Sequence, residues 1–176
     1  ETEVLTLYVD QSPILGIFTA LNSTGAVLPN FAERNDVRVL KAAGLNVCQI
    51  SERFVPGNTI AVNDKAALVH PRMDKPDQRK IADALGVEVF SQQVTYIPTV
   101  GSVNVATNRG VLAYNEVSEE ELKQIERLFG VRGGIGTVNL GSPFVRLGLV
   151  ANSKGALVGD RTSGYETQRI YEALFA

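Results

Sequence analysis

One thiol, Cys48, and one imidazole, His70, are the only soft ligands or ready nucleophiles in the chain. Nucleophilic catalysis by Cys48 needs a base beside it, and the single imidazole lies in Leu68-Val69-His70-Pro71, at the end of an apolar run. Cys48 itself sits within Leu45 to Ile50, where a small buried hydrophobe is expected. One Cys excludes an intramolecular disulfide framework and a multi-thiolate zinc site, and a reducing compartment suits it. Glu119-Glu120-Glu121 resembles a carboxylate cluster but stands at a helix start, where it complements the macrodipole. Gly133-Gly134-Ile135-Gly136 resembles a phosphate cradle, yet Thr137-Val138-Asn139-Leu140 follows it rather than a helix, and no Walker-type or GxGxxG pattern is present. Asn22-Ser23-Thr24 has the form of a glycosylation acceptor and is explained by turn chemistry. No metal, no cofactor and no enzymatic activity are therefore expected.

These residues are positioned by a repeat. The turns beginning at Asn22, Asn63, Thr107 and Asn152 lie 41, 44 and 45 residues apart, each between two apolar runs and each ending on a small residue, Gly25, Ala66, Gly110 or Gly155. This is a β-hairpin signal, because Asn and Gly tolerate the backbone of tight turns. A helix is expected after every hairpin, from the pairs Asn30 with Glu33, Asp74 with Asp77, Ser118 with Glu121 and Ser163 with Glu166. Leu122, Ile125, Leu128 and Phe129 share one helical face, as do Ile81, Ala84 and Leu85. Gly44, Gly86 and Gly130 suit helix C-termini, and short third strands follow them at Leu45 to Ile50, Val87 to Gln92 and Val131 to Thr137. His70 occupies a slot that the other repeats fill with other residues, which suits structural hydrogen bonding.

The fold class is thus α+β, one domain over 1–176 built of strand-strand-helix-strand units at about 14–54, 55–98, 99–143 and 144–176, with 3–9 an orphan strand. That strand either completes the last unit or is the remnant of an earlier one. Units of this length stack or close into a ring, since none buries its faces alone. The length of 176 residues, with 44% hydrophobic and 20% charged residues, supports a proper core. A net charge of -2 and a pI near 5.5 count against a general polyanion binder while leaving room for a local basic patch. No apolar run spans a membrane and no signal segment opens the chain, so a cytoplasmic protein is expected. Just before each hairpin lie apolar, mostly Pro-containing loops: Ser12-Pro13-Ile14-Leu15, Phe54-Val55-Pro56, Ile97-Pro98-Thr99-Val100 and Ser142-Pro143-Phe144-Val145-Arg146. In a ring they cluster on one face, either filling its interior or offering a protein-binding surface.

The run from Gly136 through Asn139-Leu-Gly-Ser-Pro-Phe-Val-Arg146 and Ala151-Asn-Ser-Lys-Gly-Ala-Leu-Val-Gly159 resembles the C-terminal signature of the translation initiation factor six family, in its archaeal form. Pro56-Gly57-Asn58, Asn63 to Pro71, Leu85 to Phe90, Val100-Gly-Ser102 and Ala106 to Gly110 are similar to it as well. The resemblance implies a pentein β/α-propeller of five units, of which this chain shows four, with the family's first unit absent. It implies a monomeric, non-enzymatic factor that binds the intersubunit face of the large ribosomal subunit, chiefly protein uL14, near an L24-type protein and the sarcin-ricin loop rRNA. Such a factor blocks the small subunit and takes part in large-subunit maturation. The ribosome-binding residues implied are Leu15, Gly16, Ile17, Val55, Asn58, Val100, Ser142, Phe144 and Arg146. Ile17 stands where many relatives carry Arg, which removes a polar contact there. Alternatives are a scaffold for ribosome assembly and a guanidine-modifying enzyme of pentein fold, the latter lacking its Cys, His and acid constellation here.

Overall fold

The computed structural model describes residues 4–176. It is a mixed α+β structure of four small sheets, and one pattern recurs four times. Each unit opens with a single helical turn: α1 (Leu15–Phe18), α3 (Pro56–Thr59), α5 (Val100–Val103) and a 3-10 turn at Val145–Leu147. The Pro-containing loops before the hairpins are therefore partly helical, which an apolar run of four residues does not disclose. A hairpin follows: β1 (Ala20–Leu21) with β2 (Gly25–Pro29), β4 (Ile60–Val62) with β5 (Ala66–Val69), β7 (Asn104–Ala106) with β8 (Gly110–Tyr114), and β10 (Leu149–Asn152) with β11 (Gly155–Val158). The long helices α2 (Arg34–Ala42), α4 (Lys75–Leu85), α6 (Glu119–Phe129) and α7 (Gly164–Leu174) come next. In three units a third strand, β3 (Asn46–Ile50), β6 (Glu88–Ser91) or β9 (Arg132–Gly136), then pairs in parallel with the second.

The core lies both within units and between them, because each second strand packs one face on its own helix and the other on the next unit's helix. Val27 packs with Ile81 and Leu85 of the following unit's α4, while its neighbours Ala26 and Leu28 turn to Leu40 of their own α2. Ala66 and Leu68 likewise meet Ile125 and Phe129 of α6, and Leu112 meets Ile170 and Leu174 of α7. Strand side chains alternate between faces, so a second strand sandwiched between two helices must be apolar at every position, and β2, β5 and β8 are. β11 pairs only with β10 among the described residues and is exposed along its length.

The expected orphan strand at 3–9 is corrected. Residue 3 lies outside the described residues, and Val4 to Tyr8 pair with no strand; only Val9 makes an isolated bridge, to Ser12. A third strand needs the second strand of its own hairpin, and β2, β5 and β8 already have theirs, while β11 pairs with β10 alone. One helix start is also corrected, since the first helix is capped by Glu33 with Asp36 three residues on, not by Asn30.

With that shift the four acidic residues at the third helical position, Asp36, Asp77, Glu121 and Glu166, fall at the same 41, 44 and 45 residue intervals as the turns. Each accepts a backbone N–H from the loop that precedes its own unit: Asp10 (3.0 Å), Ser51 (2.9 Å), Thr95 (2.7 Å), and both Leu140 (3.2 Å) and Gly141 (2.8 Å). Three of these loops bend through left-handed non-glycine residues, Asp10 and Gln11, Thr95, and Asn139 and Leu140. Such residues cost energy that charge-assisted hydrogen bonds offset.

Burial works against ionisation of Glu166, but the N–H groups of Ser163 and Gly141 and the hydroxyls of Thr137 and Ser163 outweigh it. They hold the carboxyl down from an ordinary 4.5 to about 2. A folded-state value below the unfolded one means that the stabilisation is fully present above pH 4.5 and is lost as pH falls towards 2. Glu166→Gln is expected to lower unfolding stability at pH 7 by about 1.5–3 kcal/mol, the scale of hydrogen bonds to a charged group. In urea melts the variant's stability should also fall less steeply than wild type over that acid window.

Candidate functional site

Strand directions divide the molecule into two ends. First strands run from the unit starts to the hairpin turns; second and third strands run back. The turns therefore gather at one end, and the unit starts, third-strand exits and long-helix N-termini at the other.

At the turn end, residues of all four turns line a cleft of about 280 Å³. Asn22 Nδ2 donates to the carbonyls of Asn63 (3.2 Å) and Leu85 (2.9 Å), and Asn63 Nδ2 repeats this with Thr107 (3.1 Å) and Phe129 (3.0 Å). The Oδ1 atoms of Asn22 and Asn63 meanwhile accept N–H groups of their own turns. Thr107 has no amide to offer forward, and there Arg109 reaches the Phe175 carbonyl instead (2.7 Å). Asp64 accepts from the Ser23 N–H and hydroxyl and from the Asn108 amide. Although desolvation opposes this charge, those bonds keep the carboxyl below its ordinary range. The polar groups of Asn22, Asn63, Asp64 and Asn108 thus fasten one unit to the next across this cleft.

The unit-start end differs. The helical turns touch in sequence, α1 on α3, α3 on α5, and α5 on the Val145–Leu147 turn. Gly57 makes the first contact possible: a Cβ there would run into the backbone oxygens of Gly16 and Ile17, and one at Gly101 would run into those of Gly57 and Ile60. In the fourth unit Arg146 stands where the others have Gly16, Gly57 and Gly101, and it closes the circuit. Its guanidinium donates to the carbonyls of Thr19 (3.2 Å) and Gly16 (3.5 Å) in the first unit. Burial lowers its pKa.

The expected binding residues take different stations on this face. Gly16 and Phe144 are exposed; Leu15, Ile17, Val55, Asn58, Ser142 and Arg146 are partly covered. Val100 is corrected: it is fully buried with Val103 and Phe129, and it supports the loop from within. Arg146 is likewise engaged inwards. Ile14, in a loop the sequence marks, and Tyr96, Leu140 and Leu147, which it does not, are with Phe144 41–66% exposed on this face. Large apolar side chains in loops that follow third strands were the available signal. A second exposed apolar area comprises Val150 and Leu157 on the β10–β11 hairpin.

Cys48 and His70 are not brought together. Cys48 borders a cleft with Lys41, Lys80 and Asp83, and burial pushes its thiol up to about 11, away from the reactive thiolate. The His70 ring leans on Phe54 elsewhere, centroids 5.2 Å apart. Among the described residues no group of three or more His, Cys, Asp or Glu could hold a metal, and no helix is long and apolar enough to cross a membrane.

Among the described residues the chain is a series of fastened repeats whose loop-built face carries exposed apolar groups, the form of a binding protein. The model of the eIF-6 family matches residues 1–173, and the chain belongs to that family of translation initiation factors. It is 41% identical over 174 residues to Translation initiation factor 6 of Pyrobaculum arsenaticum, a match covering 98% of this chain and 79% of that protein. The protein of that name from Saccharolobus islandicus is 43% identical over 178 residues, with the same coverage. That of Picrophilus torridus is 37% identical over 175 residues, covering 99% of this chain and 80% of its own length.

Gly57→Ala is expected to force the first two units apart and to destabilise the protein by roughly 1–3 kcal/mol, the cost of overpacking. Urea unfolding measures it, with Gly164→Ala, which meets open space, as the control near zero.

Proposed function

We propose that this chain binds the large ribosomal subunit at its intersubunit face and keeps the small subunit away by its bulk. The docking surface is the unit-start end, and the partner is chiefly protein uL14, with an L24-type protein and the sarcin-ricin loop nearby. The factor acts as a monomer in the cytoplasm and also serves large-subunit maturation. The four units at about 14–54, 55–98, 99–143 and 144–176 are read as blades of a pentein propeller. The fourfold recurrence of strand, strand, helix and fastening bonds supports that reading.

The observation that carries the proposal is the set Ile14, Tyr96, Leu140, Phe144 and Leu147, exposed together on one loop-built end of a translation initiation factor. Solvent-facing apolar groups of this size, rimmed by polar loops, are the anatomy of a protein-binding surface. Gly16 and Asn58 belong to the same unit-start turns. The mild net negative charge of -2 suits basic ribosomal proteins, because charge complementarity speeds encounter.

Co-sedimentation with purified large subunits should deplete the wild-type chain from the supernatant, and added factor should reduce subunit joining. Phe144→Asp is expected to weaken binding by at least about 2 kcal/mol, roughly thirtyfold, with the fold intact. Unchanged affinity in the variant would remove this face from the interface, and a wild-type chain left wholly in the supernatant would refute the ribosomal target.

A further inference from the structure

Beside the apolar set, at the start of the second unit where the end of the first and the start of the third meet it, lies a pocket of about 370 Å³ rich in donor side chains. Arg53 and Arg72 border it, and neither guanidinium has an ion pair among the described residues. The His70 ring is fixed by the Arg72 backbone N–H, which donates to Nδ1 (3.0 Å), so the proton sits on Nε2 as a further donor. Burial, and then the Arg72 charge, hold the His70 pKa below its ordinary value, so the imidazole is neutral at pH 7. The Ser102 hydroxyl gives its one hydrogen to the Thr99 carbonyl (2.7 Å) and lies 3.1 Å from the Thr99 hydroxyl, which is thereby tied to Ser102. The Asn58 side chain, also at the rim, makes no hydrogen bond within the described residues. No carboxylate lines the pocket. A second basic cleft mixes Arg127 and Arg132 with Glu126, and its Lys123 is paired with Glu119; in a third, the Arg109 guanidinium is already held by the Phe175 carbonyl (2.7 Å).

We propose that this pocket binds a phosphodiester of an RNA backbone, with Arg53 and Arg72 on the phosphate oxygens and Asn58 and His70 Nε2 as neutral donors. The inference deepens the ribosomal reading above and rests on it for the identity of the RNA as ribosomal. Arginine and Asn donors are groups that hold nucleic-acid phosphates. The His70 face, backed by Phe54, offers the flat surface on which a sugar or base of a single-stranded or looped segment packs. An acidic peptide would meet the same donors through its carboxylates, but its aliphatic acid side chains bring no flat base to lie on the ring face. In a chain of net charge -2 such a pocket acts locally: it orients one strand at the edge of a protein-protein contact rather than attracting polyanions in general.

His70 is the only histidine, so its imidazole proton resonance reports on this pocket alone. Titrating the intact chain with a short RNA hairpin should shift that resonance saturably. Arg53→Ser with Arg72→Ser should remove the shift and reduce the slope of log affinity against log salt by about 1, for the one phosphate no longer neutralised. Arg127→Ser with Arg132→Ser, the same change of charge elsewhere, should leave both readouts as in wild type. An unmoved His70 resonance, an equal loss in the two double variants, or a larger shift with a poly-glutamate peptide would each overturn the proposal. A chain that takes the hairpin in this manner yet ignores large subunits would retire the ribosomal target and leave the phosphate site standing.

Discussion

The geometry depends on a carboxylate that each unit points at its predecessor. Asp36, Asp77, Glu121 and Glu166 occupy the third position of their helices, and each takes the backbone N–H of the loop entering its own unit. That contact does three things at once. It holds a left-handed bend in three of the four loops, it fixes where the next unit starts relative to the last strand of the one before, and through Asp36, Glu121 and Glu166 it shares its carboxylate with the N-cap N–H of the helix. An apolar interface alone would allow the units to slide over each other, because burial is not directional. Short charge-assisted bonds to a defined N–H remove that freedom.

Two further fastenings follow the same logic at the two ends of the strands. At the turn end, Asn22 and Asn63 each use the amide to reach forward and the carbonyl to hold their own turn, and Arg109 substitutes where Thr107 cannot. At the unit-start end, backbone meets backbone at Gly16, Gly57 and Gly101, and Arg146 joins the fourth unit to the first. The side chains that do this are spent on structure. What remains for recognition is the outward part of the same loops, which is why apolar and donor groups without partners accumulate there. Position and function are thus coupled: the clamps that set the spacing of the units also set the spacing of Ile14, Phe144, Asn58 and the Arg53–Arg72 pocket.

Much of this was legible in the sequence, for a physical reason. Turn chemistry is local, so Asn or Thr followed by a small residue marked all four hairpins, and left-handed Gly86 and Gly130 marked two helix ends. Three of four helix caps were also read correctly. The first failed because Asn30 offers a plausible cap one turn early, whereas the chain caps with Glu33. The second role of the acidic residues stayed hidden because a capping box already explains an acid at that position, and its other partner lies 25 or 26 residues away. Val100 illustrates the same limit. Its place in an apolar loop suited either surface or core, and only the packing of α5 against the third sheet puts it inside. Arg53 and Arg72 were unremarkable in sequence, since what distinguishes them is the lack of any carboxylate around the pocket they share.

The central claim is that the unit-start end, held in register by the carboxylate clamps, is the surface that meets the large ribosomal subunit. Hydrogen–deuterium exchange of the chain with and without large subunits tests it most directly, because backbone amides report every loop in one experiment. The account predicts protection concentrated in 12–18, 52–59, 94–102 and 138–147, with the turns at Asn22, Asn63, Thr107 and Asn152 unchanged. Protection confined to those turns, or to the β10–β11 hairpin, would contradict it.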